Sequence, residues 1–216
     1  QPHLPWLLIV SPYALFPIHG SARRIHSLAR HLSQRFRIAI IADEGWRFDA
    51  VDLDEMDYVE ALWLVCSPRK ECGDNRLLRM KSHARAALRS TVREATQCFR
   101  PQVVQIEHEE LAPLIDLKST ERWFLTLHDV NSGTDPAADR TLKRLVSRFD
   151  GVIACSREDT ELLESRATLI ENGVDLGRLH PGVRSSGKTL LFIGPFSYHP
   201  NRTGLDHFIR HCLPDI

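Results

Sequence analysis

The chain has 216 residues, 43% of them hydrophobic and 26% charged, the profile of an ordinary globular protein with room for one large or two small domains. Lysine plus arginine and aspartate plus glutamate each number 28, so the net charge is zero and bulk electrostatic attraction to nucleic acid is excluded as an organising force. Five cysteines (Cys66, Cys72, Cys98, Cys155, Cys212) without a CxxC pair fit reduced thiols better than a disulfide or zinc framework, and no long apolar run or signal-peptide pattern stands out, which points to a cytoplasmic protein.

The first element is "WLLIV" (Trp6 to Val10), an apolar run bounded by Ser and Pro that reads as a buried strand. A Pro-rich loop leads to Gly20, after which Ile25, Leu28, Ala29, Leu32 and Phe36 recur at helical spacing. A loop that enters a helix is a ready anion site, because the first turn offers unpaired N–H groups and a partial positive charge. Arg23 and Arg24 each oppose that dipole by about 0.3–1 kcal/mol, so the pattern asks for an anion or carboxylate beside them unless both are solvated. "FRIAIIAD" is a second strand, Glu44 to Asp57 a long loop, and "YVEALWLVC" a third strand. One long helix is expected from about Asn75 to Phe99, with Leu77, Met80, Ala84, Leu88, Ala95 and Phe99 as its apolar row. Lys81, Arg85, Arg89 and Arg93 form a basic row beside it, either a solvated face or one that leans on anionic phospholipid.

Arg100-Pro101 stops that helix, and "QVVQIEHEE" supplies a fourth strand. "RWFLTLHDV" is a strand ending in His128-Asp129, Asp139 to Phe149 a helix, "GVIACS" another strand, and "REDTELLES" a helix for which Ser156 and Asp159 resemble a capping box. "ATLIENGVD" closes the series with a turn at Asn172-Gly173. Strands alternating with helices demand parallel pairing by right-handed crossovers, hence an α/β doubly wound sheet. Ligands of such sheets bind beyond the carboxyl ends of the strands, where Gly20, Glu107, His108, His128, Asp129 and Ser156 fall. The "EHEE" run lacks the HExxH spacing that sets two imidazoles on one helical face, so no metal is expected. A polar linker over 181–188 separates the region 1–180 from a fresh strand "TLLFIGP" and a helix "GLDHFIRHCL". One strand and one helix cannot close a core, so 189–216 is expected to begin a second, incomplete domain.

The succession "P..HG...R...L...L", "LHD", "FDGVIACS.ED...L", "ENGVD...HP" and "LLFIGPFSYHPNRTGLDHFI" resembles the N-terminal half of the family-four glycosyltransferases of the GT-B fold, in particular those of bacterial polysaccharide assembly. The resemblance implies a Rossmann-like acceptor-side domain, a donor-binding second domain, and transfer in the cleft with retention at the anomeric carbon. It implies no cofactor or metal, a nucleotide sugar as co-substrate, and a glycan or lipid-linked acceptor, with peripheral contact to an anionic membrane as an option. By the same resemblance His128 and Asp129 are the catalytic candidates, His128 contacting donor sugar hydroxyls. Gly20, Arg24, Asn172 and Gly173 are implied to bind substrate; Ser21 and, by their place at the carboxyl edge, Glu107, His108 and Ser156 are substrate-binding candidates with them, and Gly194, His199 and Asn201 are expected to form a donor-side loop. Two departures stand out: His19 occupies the place of the first glycine of the family's loop pair, and the second-domain acidic motif is absent, so little activity is expected of this chain alone. A non-catalytic sugar- or lipid-binding module and a sugar epimerase of the same fold are the alternatives. An NAD dehydrogenase, suggested by Asp43 at the second strand's end, is opposed by the long first loop without G-x-G-x-x-G.

Overall fold

The computed structural model describes residues 4–13, 15, 20–44, 56–66, 68, 72–73, 75–128, 130, 135–163, 166–174, 176–177, 182, 189–194, 196 and 199–216. Strands β1 (Trp6–Ser11), β2 (Arg37–Ala42), β3 (Val59–Leu64), β4 (Val103–Glu107), β5 (Arg122–Leu127), β6 (Gly151–Ala154) and β7 (Ala167–Leu169) form one sheet in the order β3-β2-β1-β4-β5-β6-β7. All neighbours pair parallel, as the alternating pattern requires. The strand order reverses between β1 and β4, which makes their carboxyl ends the crevice of the sheet.

Period-two alternation divides β1 between two cores. Leu8 and Val10 face the larger one, with Val104, Ile106, Trp123 and Leu125. Leu7 and Ile9 face the smaller one, with Ile38, Ile40 and the residues Ile25 and Ala29 of helix α1 (Gly20–Leu32). The larger core is covered by α2 (Arg76–His83), α3 (Ala86–Phe99), a 3-10 helix (Glu109–Leu117) and α4 (Pro136–Val146). Asp135 caps α4 by accepting from the N–H groups of Ala137 and Ala138 at 3.1 and 3.0 Å, with Pro136 opening the helix, so it starts earlier than expected. Helix α5 (Arg157–Leu162) begins at Ser156, whose Oγ accepts from Asp159 N–H at 3.1 Å.

Three expectations need correction. The long helix over 75–99 is two, because Ala84 and Arg85 leave helical geometry between α2 and α3. There Arg85 pairs bidentately with Asp43, which is fully buried at the end of β2, at 2.5 and 2.8 Å. The basic row is therefore not one continuous face: Arg89 donates to the carbonyls of Ala84 and Pro113, and Lys81 and Arg93 alone of the four are exposed. Second, the "EHEE" stretch does not continue β4, which ends at Glu107, but turns at His108 into the 3-10 helix. Third, residues 189–194 form no strand, since pairing needs a neighbour that these residues do not find.

The chain divides into two compact units, Gln1–Gly173 and Val174–Ile216. The second holds α6 (His199–His211), which buries none of its residues, and a short 3-10 turn, Leu213–Asp215. The linker expected over 181–188 lies outside the described residues apart from Gly182. No helix among the described residues is long and apolar enough to cross a membrane.

Candidate functional site

The central strands of a parallel sheet are ordinarily apolar on both faces. On the α1 side β4 and β5 break that rule. Gln105 and Glu107 share one face of β4, and Thr126 on β5 and His128 just past its end continue it, with Glu107 in register opposite Thr126. This polar stripe is buried: Gln105, Glu107 and Thr126 expose 8%, 1% and 1%. Gln105 Nε2 donates to Glu107 Oε1 at 2.5 Å and lies 3.3 Å from Thr126 Oγ1. The other carboxylate oxygen, Oε2, receives His128 Nε2 at 2.6 Å.

His108 lies across this group, its imidazole stacked on that of His128 with centroids 4.1 Å apart and planes 17° from parallel. To reach that place its backbone adopts φ 68°, ψ 148°, a strained region for a residue with a Cβ, held by its N–H donating to the Thr126 carbonyl at 2.8 Å. Burial, then the neighbouring His128, His83 and Arg79, lowers the His108 pKa well below the ordinary histidine value, so the ring stays neutral. Tyr13, just past β1, packs edge-on against both His108 and His83 at 5.1 and 5.4 Å. Its hydroxyl donates to Glu110 Oε1 at 3.1 Å and accepts from Arg79 Nη2 at 3.3 Å, while Arg79 also pairs with Glu110. Burial first, then the Glu110 carboxylate, pushes the phenol up to about 12. Below them Arg76 grips Glu109 bidentately at 2.9 and 2.7 Å and Asp139 at 2.5 Å, fixing the 3-10 helix to α2 and α4.

A second group gathers at the end of β7. Arg24, in the first turns of α1 and 7% exposed, donates through Nη2 to the Ile170 carbonyl at 2.6 Å. Its Nη1 donates to the Glu171 carbonyl and to Asn172 Oδ1, both at 3.0 Å. The anion or carboxylate expected beside Arg24 is thus replaced by neutral oxygens of the chain itself. Among the described residues, its Nε and the Nε2 of His108 are buried without a hydrogen-bond partner, and both belong to this carboxyl edge.

Of the expected residues, Glu107, His108 and His128 come together around β4 and β5, and Arg24 with Asn172 around β7. Gly20 opens α1 and Ser21 follows it half-exposed; among the described residues, apart from its own turn, no atom stands within 4 Å of where a Cβ on Gly20 would lie, so none of them demands glycine there. Ser156 caps α5 rather than standing free. Gly173 lies in an irregular exposed stretch and not in the turn expected with Asn172: β7 ends at Leu169, and residues 170–174 form neither turn nor strand. Asp129 and His19 lie outside the described residues. In the second unit, His199 and Asn201 are in the first turn of α6 rather than in a loop, and Asn201 packs against Gly194, where an added Cβ would come within 2.6 Å of Asn201 Nδ2. Asp43, the acid of the dehydrogenase reading, is spent on Arg85 and on the Glu44 N–H at 2.8 Å. The sequence reading missed Tyr13, Arg79 and Glu110; their clustering depends on how α2 crosses the loop after β1. Gln105 was within reach, as a polar residue two positions before Glu107 inside an apolar strand. Among the described residues no cluster of histidine, cysteine or carboxylate side chains has the geometry to hold a metal ion.

The sequence model of Glycosyltransferase Family 4 matches residues 18–178. No curated protein matches the chain by sequence. Among solved structures, sucrose-phosphate synthase from Thermosynechococcus elongatus superposes with a TM-score of 0.64 at 12% identity, over 82% of this chain and 50% of that one. The glycotransferase of kitacinnamycin gives 0.53 at 15% identity, over 87% and 56%. Anabaena HepE, in complex with UDP and glucose, gives 0.52 at 14% identity, over 80% and 46%. These likenesses show a shared GT-B fold, and this chain spans about half the length of each structure.

Proposed function

Because this chain belongs to Glycosyltransferase Family 4, we propose that it supplies the acceptor-side wall of an enzyme that transfers a sugar from a nucleotide donor, with retention, to a glycan or lipid-linked acceptor. The observation that carries the proposal is the buried polar stripe Gln105–Glu107–Thr126–His128 beside the crevice between β1 and β4. A sequence that places three buried polar side chains where packing favours apolar ones forgoes stability, and such exceptions concentrate at functional sites. The two unpartnered buried nitrogens at the same edge support the reading.

In the proposed reaction His128 meets a hydroxyl of the transferred sugar and holds it in register with the acceptor, a contribution of position and electrostatics. Arg24 acts indirectly, by fixing residues 170–172 against α1. Stabilisation of the departing nucleotide phosphate is assigned to groups outside this chain, and residues 1–216 alone are expected to turn over little or no donor. The nucleotide is proposed as uridine diphosphate by analogy with the ligand of HepE.

The test is transfer from radiolabelled UDP-glucose, GDP-mannose and dTDP-glucose to a bacterial lipid extract, by residues 1–216 and by the same polypeptide extended into the second domain. Label in the lipid phase from the extended form alone, reduced at least tenfold by His128→Ala, is the expected result. Rapid turnover by residues 1–216 would refute the division of labour, and a full rate in the His128→Ala protein would remove the proposed role of the stripe.

A further inference from the structure

We infer that Glu107 is a positioning residue that locks the tautomer of His128, so that the neutral ring presents Nδ1 as a hydrogen-bond acceptor at the carboxyl edge of the sheet. The inference deepens the function proposed above and rests on it for the claim that His128 meets ligand. It selects the ligand group: a hydroxyl, which can donate to Nδ1, and not a phosphate oxygen, which can only accept.

A carboxylate has no proton to give, and both oxygens of Glu107 are engaged, Oε1 by the Gln105 amide at 2.5 Å and Oε2 by His128 Nε2 at 2.6 Å. With both carboxylate oxygens accepting, the nitrogen that faces Oε2 must carry the hydrogen, so in the neutral ring the proton is on Nε2 and the lone pair is left on Nδ1. The acceptor-only carboxylate in turn orients the Gln105 amide, whose Nε2 faces Glu107 Oε1 and Thr126 Oγ1. Turning the ring over, which would put a carbon in place of each nitrogen, is hindered on one face by His108, stacked at 4.1 Å. That neighbour is neutral, so it adds no charge to compete for Glu107.

Replacing Glu107 by glutamine makes the lock reversible. In Glu107→Gln the new carbonyl turns to the Gln105 N–H, which leaves the new amide N–H facing His128 Nε2; that nitrogen must then accept, and the ring proton moves to Nδ1. Adding Gln105→Glu inverts the relay. The carboxylate at 105 takes the amide N–H of the glutamine at 107, whose carbonyl faces His128 again and returns the proton to Nε2.

The experiment is a long-range proton–nitrogen spectrum of the histidine rings in the ¹⁵N-labelled chain at mildly alkaline pH, with the His128 signals identified by their loss in His128→Asn. Expected are a protonated Nε2 and bare Nδ1 in the wild type, the reverse in Glu107→Gln, and recovery in Gln105→Glu/Glu107→Gln, with amide spectra confirming the fold. Unchanged ring signals in Glu107→Gln, or no recovery in the double variant, would overturn the inference. Should Glu107→Gln fail to fold, the wild-type ring decides, and a proton on Nδ1 sinks the lock. No ligand is present in this measurement, so failure of the lock and failure of the glycosyltransfer reading are separate results.

Discussion

Two stretches of nearly the same composition meet opposite fates in this chain. Leu7-Leu8-Ile9-Val10 is at most 2% exposed in the middle of a parallel sheet, while Leu190-Leu191-Phe192-Ile193 is 41–84% exposed and forms no strand. Local propensity is alike in the two. What differs is company: β1 is flanked by β2 and β4 and covered by helices on both faces, whereas 190–193 has no strand partner among the described residues. Strand formation here is decided by neighbours, which is why β propensity depends so heavily on context.

The most severe way to break this contrast is to charge both stretches. Leu8→Asp buries an unpaired carboxylate and is expected to cost about 5 kcal/mol or more, enough to abolish the cooperative melt, whereas Leu191→Asp should move Tm by no more than about 2 °C. Thermal melts followed by circular dichroism decide it, and equal losses would mean that 190–193 is as well supported as β1. The contrast extends from apolar to charged groups at Arg76, 3% exposed and gripped by Glu109 and Asp139. Arg76→Ala strands a buried carboxylate and should lower the urea-derived stability by about 3–5 kcal/mol. Arg210→Ala, which breaks the exposed pair with Asp206 in α6, should cost less than about 0.5 kcal/mol.

Glycines sharpen the comparison at smaller scale. A Cβ on Gly151 would lie 2.7 Å from the Phe124 ring on the paired strand, so Gly151→Ala is expected to cost about 1–3 kcal/mol, while Gly204→Ala in α6, with open space around it, should be stabilising by up to about 1 kcal/mol. Acid supplies the mildest test. His108 is held neutral in the folded chain but takes a proton when unfolded, so its contribution is complete above about pH 6.5 and declines as pH falls below it. The decline reaches at most about 1.4 kcal/mol per pH unit from this one group, and His108→Gln should flatten it by that amount in urea titrations at stepped pH.

The sheet was legible because its strands are apolar runs separated by turn signals and helix-length spacers, and the carboxyl-edge placement of Glu107, His108 and His128 follows from that alternation. The helix break at Ala84–Arg85 was not, since the apolar row continues through it and only the distant Asp43 reveals why Arg85 turns away. Arg24 illustrates the same limit. A cation in a first turn signals an unmet need, but which oxygens answer it depends on a β7 end 146 to 148 residues along the chain. The pairing of Gln105 with Glu107 is a local, period-two relation and was available to inspection. The stacking of His108 on His128 was not, because it requires a backbone conformation that sequence patterns assign to glycine.

That conformation sets backbone energy against the presence of the imidazole. A glycine at 108 would relieve backbone strain of about 1–3 kcal/mol and give a sturdier chain. The polypeptide instead carries an aromatic ring whose buried Nε2 finds no hydrogen-bond partner among the described residues. On backbone energy alone a glycine is favoured at this position, and local exceptions of this kind concentrate at functional sites.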